Sequence, residues 1–132
     1  MTTSARTALM DAATAYGRRW ADVGGAAARA RRIPANRVTA LLIVTFYNAA
    51  GFADVFTTIH ALGLGASEAN PVVRTFMDLL ANYWVIPKLG TQALVSAMIL
   101  WFPHRLVLAI FTVAVAATGA VVWNNLQVIA SL

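Results

Sequence analysis

The chain has 132 residues, of which 60% are hydrophobic and only 11% are charged, and its formal net charge at pH 7 is +5. Soluble domains of ordinary composition carry charge on about a quarter of their residues, so this composition excludes an ordinary soluble enzyme and indicates an integral membrane protein. Because the chain contains no cysteine, disulfide bonds, thiolate nucleophiles and cysteine-ligated zinc are also excluded.

Residues 1–37 form a basic cytoplasmic segment that carries all of the net positive charge. It holds seven arginines against two aspartates, whereas the rest of the chain has three basic and three acidic residues. Leu9, Tyr16 and Trp20 are spaced so that they share one face of a helix, and Arg18 lies on the opposite face. We therefore predict an amphipathic helix on the cytoplasmic membrane surface or on a partner protein. The residues assigned to this contact are Arg18, Arg19, Trp20, Arg29, Arg31 and Arg32.

The limits and partners of this helix follow from its neighbouring residues. Gly24-Gly25 predicts an end or a bend, and Pro34 separates the segment from the apolar residues that follow. A disordered tail is the alternative to a helix. Because arginines beside an apolar run attract anionic lipid headgroups, and no basic motif of a nucleic-acid-binding type is present, we expect the lipid bilayer, anionic headgroups and other membrane subunits as partners, and no nucleic acid.

Three apolar stretches are long enough to cross a bilayer as helices, which takes about 20 residues each. They cover about residues 38–62, 83–102 and 106–126 within a domain of residues 38–132. Asn70-Pro71 predicts the N-cap and first residue of a short interfacial helix over 71–81, and Pro103-His104-Arg105 predicts a tight turn. The predicted fold class is all-α integral membrane, with three transmembrane helices, the N-terminal amphipathic interfacial helix, and a short interfacial helix between spans 1 and 2. A two-span hairpin with a peripheral third segment is the alternative.

Orientation follows from the distribution of Lys and Arg. The basic segment and Arg105 share one side of the predicted topology, and few basic residues remain for the other side. Because basic residues near span ends are retained in the cytoplasm, we predict a multi-pass protein of the plasma (inner) membrane, with its N-terminus cytoplasmic and its C-terminus outside.

Ionisable residues inside the predicted spans are the candidate functional site. Asp54 lies about 12 Å below the outer end of the first span, and Lys88 enters the second span about 6 Å from the same boundary. The predicted intramembrane polar cluster is Asp54, Lys88, Glu68, Asn70 and Gln92, supported by Asn124 and Asn125. It can fasten the helices together, form a proton, ion or substrate site, or pair with another chain.

The polar residues also resemble a known family. Asp54-x-x-Thr57-Thr58, Glu68-x-Asn70-Pro71 and Lys88 are similar to the pattern of the small membrane proteins called the domain of unknown function 5658 family. The resemblance covers about residues 48–88 and implies a compact helical bundle with a shared polar motif. It implies no established activity, and the basic segment lies outside it.

No catalytic, metal or cofactor site emerges from the remaining residues. Ser67 and Ser96 lack a nucleophile motif, and His60 lies about 120° around the helix from Asp54, which disfavours shared metal ligation. Trp84 is expected to anchor a span boundary, as are Trp101 and Trp123. The third span instead presents a small-residue face suited to close helix packing, formed by Thr112, Ala116, Gly119 and Ala120.

These features favour a small integral membrane protein that acts as a non-enzymatic accessory or structural subunit of a larger membrane protein complex. Two alternatives use Asp54, Lys88 and Glu68: a small oligomeric proton or ion conduit or carrier, and a membrane-embedded hydrolase. The hydrolase would need a second acid at matched depth, and Glu68 is the candidate for it. Enzymatic activity therefore stays open, although the incomplete catalytic set favours its absence.

Overall fold

The computed structural model describes residues 3–131, so residues 1, 2 and 132 of the two predicted domains lie outside the described part. The regular secondary structure of that part is entirely helical. The elements are α1 (Thr3–Arg32), α2 (Pro34–Gly63), α3 (Pro71–Leu80), a 3₁₀ turn (Ala81–Trp84), α4 (Val85–Trp101) and α5 (Arg105–Ser131).

Three helical stretches are long and apolar enough to cross a membrane. They are Pro34–Gly63, Pro71–Trp101 and Arg105–Ser131, the second of which includes α3, the 3₁₀ turn and α4. The prediction of an all-α chain with three such helices is therefore confirmed. The tight turn after the second stretch is also confirmed, since residues 102–104 are non-helical.

The first helix differs from its predicted extent, because α1 continues through Gly24-Gly25 without ending there. Each glycine costs a helix about 1 kcal/mol relative to alanine, and the residues just beyond the pair supply the compensating contacts. Ala27 and Ala30 are buried, and Arg31 donates a 2.8 Å hydrogen bond from Nη1 to the carbonyl oxygen of Trp101. The C-terminal part of α1 is therefore docked onto the rest of the chain.

The second helix begins earlier than the first predicted span. Ile33 interrupts the helical backbone, and Pro34 then occupies the first turn of α2, a position that suits proline because its missing N–H needs no partner there. Buried Asn36 donates from Nδ2 to the carbonyl oxygen of Ala30 at 3.4 Å, which joins α2 to the end of α1. At the other end, Gly65 adopts φ +93°, a left-handed conformation that glycine tolerates without strain.

The third helix begins where the sequence predicts. Asn70 is its N-cap, and its Oδ1 accepts a 3.0 Å hydrogen bond from the Val72 N–H. The helix ends at Leu80 because Ala81 has φ 46° and ψ −123°, which breaks the α-helical path before the 3₁₀ turn. The second predicted span therefore becomes α-helical at Val85, two residues after its predicted start.

Helix α2 is the centre of the bundle and packs against both α4 and α5. The apolar core is formed by Ala40, Ile43, Ile99 and Leu108, which lie towards the start of α2, the end of α4 and the start of α5. We call this end of the bundle the basic end, because Arg31, Arg37 and Arg105 lie at the same helix ends. The opposite end, where α2 and α5 finish and α3 begins, is called the cleft end.

Candidate functional site

An ion pair between α2 and α4 is the centre of the candidate site. Lys88 Nζ lies 2.5 Å from Asp54 Oδ2, with side-chain exposures of 19% for Lys88 and 15% for Asp54. The ammonium group also lies 5.6 Å from the ring centroid of Trp84, within the range of a cation–π contact. Lys88 is thus held by a carboxylate and an aromatic ring together.

The third long helix, α5, joins this ion pair through one amide. Asn125 Nδ2 lies 3.2 Å from Asp54 Oδ1, 3.2 Å from Thr57 Oγ1 and 3.4 Å from Thr58 Oγ1. Both carboxylate oxygens of Asp54 therefore accept hydrogen bonds, one from α4 and one from α5. The arrangement fastens three helices at one level and satisfies the carboxylate, which would otherwise cost several kcal/mol in apolar surroundings.

A second polar layer lies midway along α2, about 9 Å from Asp54 at the helical rise of 1.5 Å per residue. Gln92 Nε2 donates to Asn48 Oδ1 at 2.9 Å, and Asn48 Nδ2 donates to Ser96 Oγ at 2.9 Å. The hydroxyl of Ser96 in turn donates to the Gln92 carbonyl oxygen at 2.9 Å. Gln92, predicted to support the Asp54 cluster, belongs to this separate amide layer instead.

Gly51 allows the amide side chain of Gln92 to approach α2 closely. A Cβ atom added at Gly51 would lie 2.6 Å from Gln92 Cδ and 2.8 Å from its Nε2. These distances are shorter than non-bonded contacts permit, and Gln92 is held in place by Asn48. A side chain at position 51 would therefore displace the Gln92 amide and disturb its hydrogen bond to Asn48.

The loop before α3 organises Glu68 and Asn70 locally. Glu68 Oε1 accepts a 2.7 Å hydrogen bond from the Asn70 N–H, while Asn70 caps α3. Arg74 donates from Nε to the Glu68 carbonyl oxygen at 3.1 Å and from Nη2 to the same atom. The guanidinium group thus fixes the backbone of Glu68, and the described residues provide no ion pair to the Glu68 carboxylate.

An open cleft of about 540 Å³ brings most of the predicted polar residues together at the cleft end. Asp54, Lys88, Glu68 and Asn70 line it with Asn124 and Asn125. The structure therefore places four of the five predicted cluster residues around one space, and Gln92 lies outside it. The remaining walls are largely apolar and come from α2 and α5, including Ala61, Leu62, Val121 and Val128.

The predicted surface-contact residues divide into an exposed arm and a docked region. Arg18, Arg19 and Trp20 are exposed on α1, and all described side chains over residues 8–23 are exposed. Arg31 donates its hydrogen bond to the carbonyl oxygen of Trp101, and Arg32 is exposed. Arg29 lines a smaller hollow of about 280 Å³ together with His104 and Arg105, so basic side chains from two parts of the chain meet at the basic end.

The predicted helix-packing face of α5 is exposed in the described part of the chain. Thr112, Ala116, Gly119 and Ala120 are all exposed, although Ala120 also borders the cleft. Apart from the neighbouring residues and backbone of its own helix, no atom of the described residues lies within 4 Å of the position that a Cβ would take at Gly119. The side of α5 that meets the apolar core is instead formed by larger residues, including Leu108, Phe111 and Val115.

Sequence reasoning missed several contributors to the site. Trp84, expected to be a boundary anchor, is 6% exposed and packs inside the protein beside Lys88. Its position four residues before Lys88, on the same helical face, was the available indication. Arg74 was expected only on the polar face of the short interfacial helix, and its bond to the Glu68 carbonyl oxygen depends on a loop conformation that has no sequence periodicity.

Comparison of the chain with protein-family models, curated proteins and solved structures found no match. The resemblance to the domain of unknown function 5658 family therefore stays a prediction from the residues quoted above. Within residues 3–131, no group of three or more histidine, aspartate or glutamate side chains is placed to hold a metal ion. The described site consists of the Asp54–Lys88 ion pair, whose groups are hydrogen-bonded, beside a cleft that also contains the Glu68 carboxylate.

Proposed function

We propose that the protein is a non-enzymatic accessory subunit of a larger membrane protein complex and docks against it laterally through α5. The proposal assigns it to the plasma (inner) membrane as a multi-pass protein. Its support comes from a contrast between a polar interior that is satisfied within the chain and an apolar helix that is left largely uncovered.

The polar interior supports a structural role for the ion pair. No buried side-chain nitrogen or oxygen among the described residues lacks a hydrogen-bond partner, and both oxygens of Asp54 are engaged. A general acid or base would need a group free to exchange a proton with substrate. Asp54 and Lys88 are committed to each other, which favours fastening over catalysis.

A conduit through one copy of the chain is disfavoured by the apolar core. A transported ion needs polar groups along its path, and the polar layers stop near Asn48. From there to the basic end, the space between the helices is filled by Ala40, Ile43, Ile99 and Leu108.

The observation that carries the proposal is the exposure of α5. Its most apolar 18-residue window has a mean hydropathy of 2.3. Only 6% of that window is buried inside the protein, against 22% of the corresponding window in each of the other two candidate spans. The exposed surface includes the small-residue face of Thr112, Ala116 and Gly119. Small residues let two helix backbones approach closely within lipid, so the expected occupant is a transmembrane helix of the partner complex.

The distribution of charge supports the proposed orientation. Arg31, Arg37 and Arg105 lie at the basic end, whereas Asp54 and Glu68 line the cleft end. Because basic residues are retained on the cytoplasmic side, the N-terminus is assigned to the cytoplasm and the C-terminus to the outside. The exposed part of α1 then lies where it can meet anionic headgroups or the cytoplasmic face of the partner.

The test is the mass and composition of the complex that the full chain brings with it when it is extracted into lipid nanodiscs. We expect a stoichiometric larger membrane assembly whose co-purifying chains are identified by mass spectrometry. Ala116→Leu fills the small-residue face and should lower recovery of that assembly by about fivefold, the equivalent of about 1 kcal/mol.

Ala117→Leu is the matched control, because it makes the same change at the next residue, which is also exposed and lies about 100° around the helix. It should leave recovery unchanged. A lone monomer, a closed homo-oligomer, or an assembly that both variants affect equally would contradict the proposed docking through α5.

A further inference from the structure

The cleft has the size and lining of a ligand-binding site that the proposed subunit function does not use. Its volume of about 540 Å³ lies within the range of about 300–1,000 Å³ that small-molecule sites occupy. Its polar groups converge from four places, namely α2, the loop before α3, α4 and α5. Such convergence of polar groups on an otherwise apolar space is the pattern of a specific site.

The charges of the cleft define what a ligand must carry. Asp54 and Lys88 neutralise each other, so Glu68 is the lining residue whose charge is left uncompensated. Only Oε1 of Glu68 has a described hydrogen bond, from the Asn70 N–H, and the described residues contain no ion pair to this carboxylate. A cationic group on the ligand is therefore favoured beside Glu68.

Donor groups in the same cleft can hold an anionic group of the same ligand by hydrogen bonds. The Lys88 ammonium group has three N–H donors, of which the described bond to Asp54 uses one. Asn124 adds an amide with no described hydrogen bond, whereas the Asn125 amide nitrogen is already bonded to Asp54. These are the side-chain types that bind phosphate oxygens as point charges and neutral donors. A zwitterion thus matches the cleft better than a simple cation.

The lining of the cleft favours a primary ammonium group over a quaternary one. No Phe, Tyr or Trp lines the cleft within the described residues, whereas quaternary ammonium groups are recognised by aromatic cages. A carboxylate and amide oxygens instead accept hydrogen bonds, which a primary ammonium group can donate and a trimethylammonium group cannot.

The apolar walls of the cleft indicate that the zwitterionic group of the ligand is attached to an apolar chain. Ala61 and Leu62 from α2 face the same space as Val121 and Val128 from α5, near the ends of two helices that are apolar enough to cross a membrane. We infer that the cleft binds the headgroup and upper acyl chain of an ethanolamine phospholipid, with the ammonium at Glu68 and the phosphate at the remaining N–H donors of Lys88 and at the Asn124 amide. This inference does not depend on a partner for α5.

The experiment measures lipid binding to the purified full chain in detergent by native mass spectrometry. The probes are phosphatidylethanolamine and phosphatidylcholine with identical short acyl chains. We expect the ethanolamine lipid to bind about tenfold more tightly, the scale of one charge-assisted hydrogen-bonded contact. Glu68→Gln keeps an oxygen for the Asn70 N–H but removes the charge, and it should abolish the preference.

Asp78→Asn is the matched control, because Asp78 is an exposed acid on α3 that does not line the cleft, and it should keep the tenfold preference. Ala66→Leu places bulk in the cleft and should weaken binding of both lipids. Circular dichroism and thermal unfolding of each variant establish that the comparison is made between folded proteins.

Equal affinity for the two lipids, or an undiminished preference in Glu68→Gln, would overturn the inference. A long-chain primary amine without phosphate that binds as tightly as the ethanolamine lipid would overturn its phospholipid part. Ala116→Leu should leave the lipid preference intact, so the failure of the α5 docking proposal and the failure of the lipid site give different results.

Discussion

At the scale of single residues, Asp54 is the group on which the arrangement of the three long helices depends. It accepts from Lys88 of α4 on one oxygen and from Asn125 of α5 on the other, while its own backbone belongs to α2. The geometry couples two helix interfaces through one carboxylate. Loss of its charge therefore affects both neighbours, whereas loss of Lys88 leaves the bond to Asn125 in place.

We expect Asp54→Asn and Lys88→Met each to destabilise the protein by about 3 kcal/mol, since breaking a largely buried ion pair leaves an uncompensated charge. The double variant should recover at least half of the summed loss, because it leaves no charge behind. Thermal unfolding in one lipid nanodisc composition measures the three effects, with Asp78→Asn as an exposed acidic control. Additive losses in the double variant would mean that the two residues act independently.

At the scale of helices, sequence patterning predicts the elements and the structure supplies their junctions. Apolar length predicts the three long stretches, and Asn70-Pro71 predicts the start of α3, because both depend on local chemistry. The break at Ala81 has no such basis, since alanine with positive φ is disfavoured and nothing in its neighbours predicts it. The continuity of α1 through Gly24-Gly25 depends on docking contacts with Trp101, 70 residues away from Arg31.

The same distinction applies to the candidate site. Burial of a charge predicts that Asp54 needs a partner, and shared depth favours Lys88. The separation of Gln92 from this pair depends on the rotation of α4 against α2 and on the space that Gly51 leaves. Depth follows from counting residues, whereas rotation follows from the packing of whole helices, which a single sequence does not specify.

The exposed part of α1 leads to a prediction about its surroundings. Its apolar residues Tyr16 and Trp20 are 64% and 55% exposed, and arginines lie beside and opposite them. We expect amide hydrogen exchange over residues 8–23 to slow in nanodiscs with anionic lipid relative to neutral lipid, because each arginine gains about 1 kcal/mol near an anionic surface. Arg18→Gln with Arg19→Gln should reduce this protection.

The matched control for that experiment is Arg37→Gln with Arg105→Gln, which removes the same charge outside α1 at exposed positions. It should preserve the protection of residues 8–23. Equal exchange in anionic and neutral nanodiscs would instead indicate that this part of α1 does not lie on the lipid surface.

At the scale of the whole molecule, polarity increases in layers from the basic end to the cleft end. The apolar core around Ile43 and Ile99 comes first, followed by the amide layer of Asn48 and Gln92. The Asp54–Lys88 layer and the open cleft complete the series. Because polar groups are easier to hydrate near the end of a membrane span than in its middle, the ionic layer lies beside the cleft and the uncharged amides lie deeper.

The two ends of this layered order can be labelled separately to test the orientation of the chain. Because the chain contains no cysteine, an introduced cysteine is labelled without background. Ser67 and His104 are exposed and lie at opposite ends of the bundle, one in the loop before α3 and the other in the turn between α4 and α5. The proposed orientation, with the basic end in the cytoplasm, predicts that a membrane-impermeant maleimide labels Ser67→Cys in intact cells and His104→Cys only after permeabilisation. The opposite pattern would reverse the assigned orientation, and labelling of both variants in intact cells would contradict a chain that crosses the membrane between them.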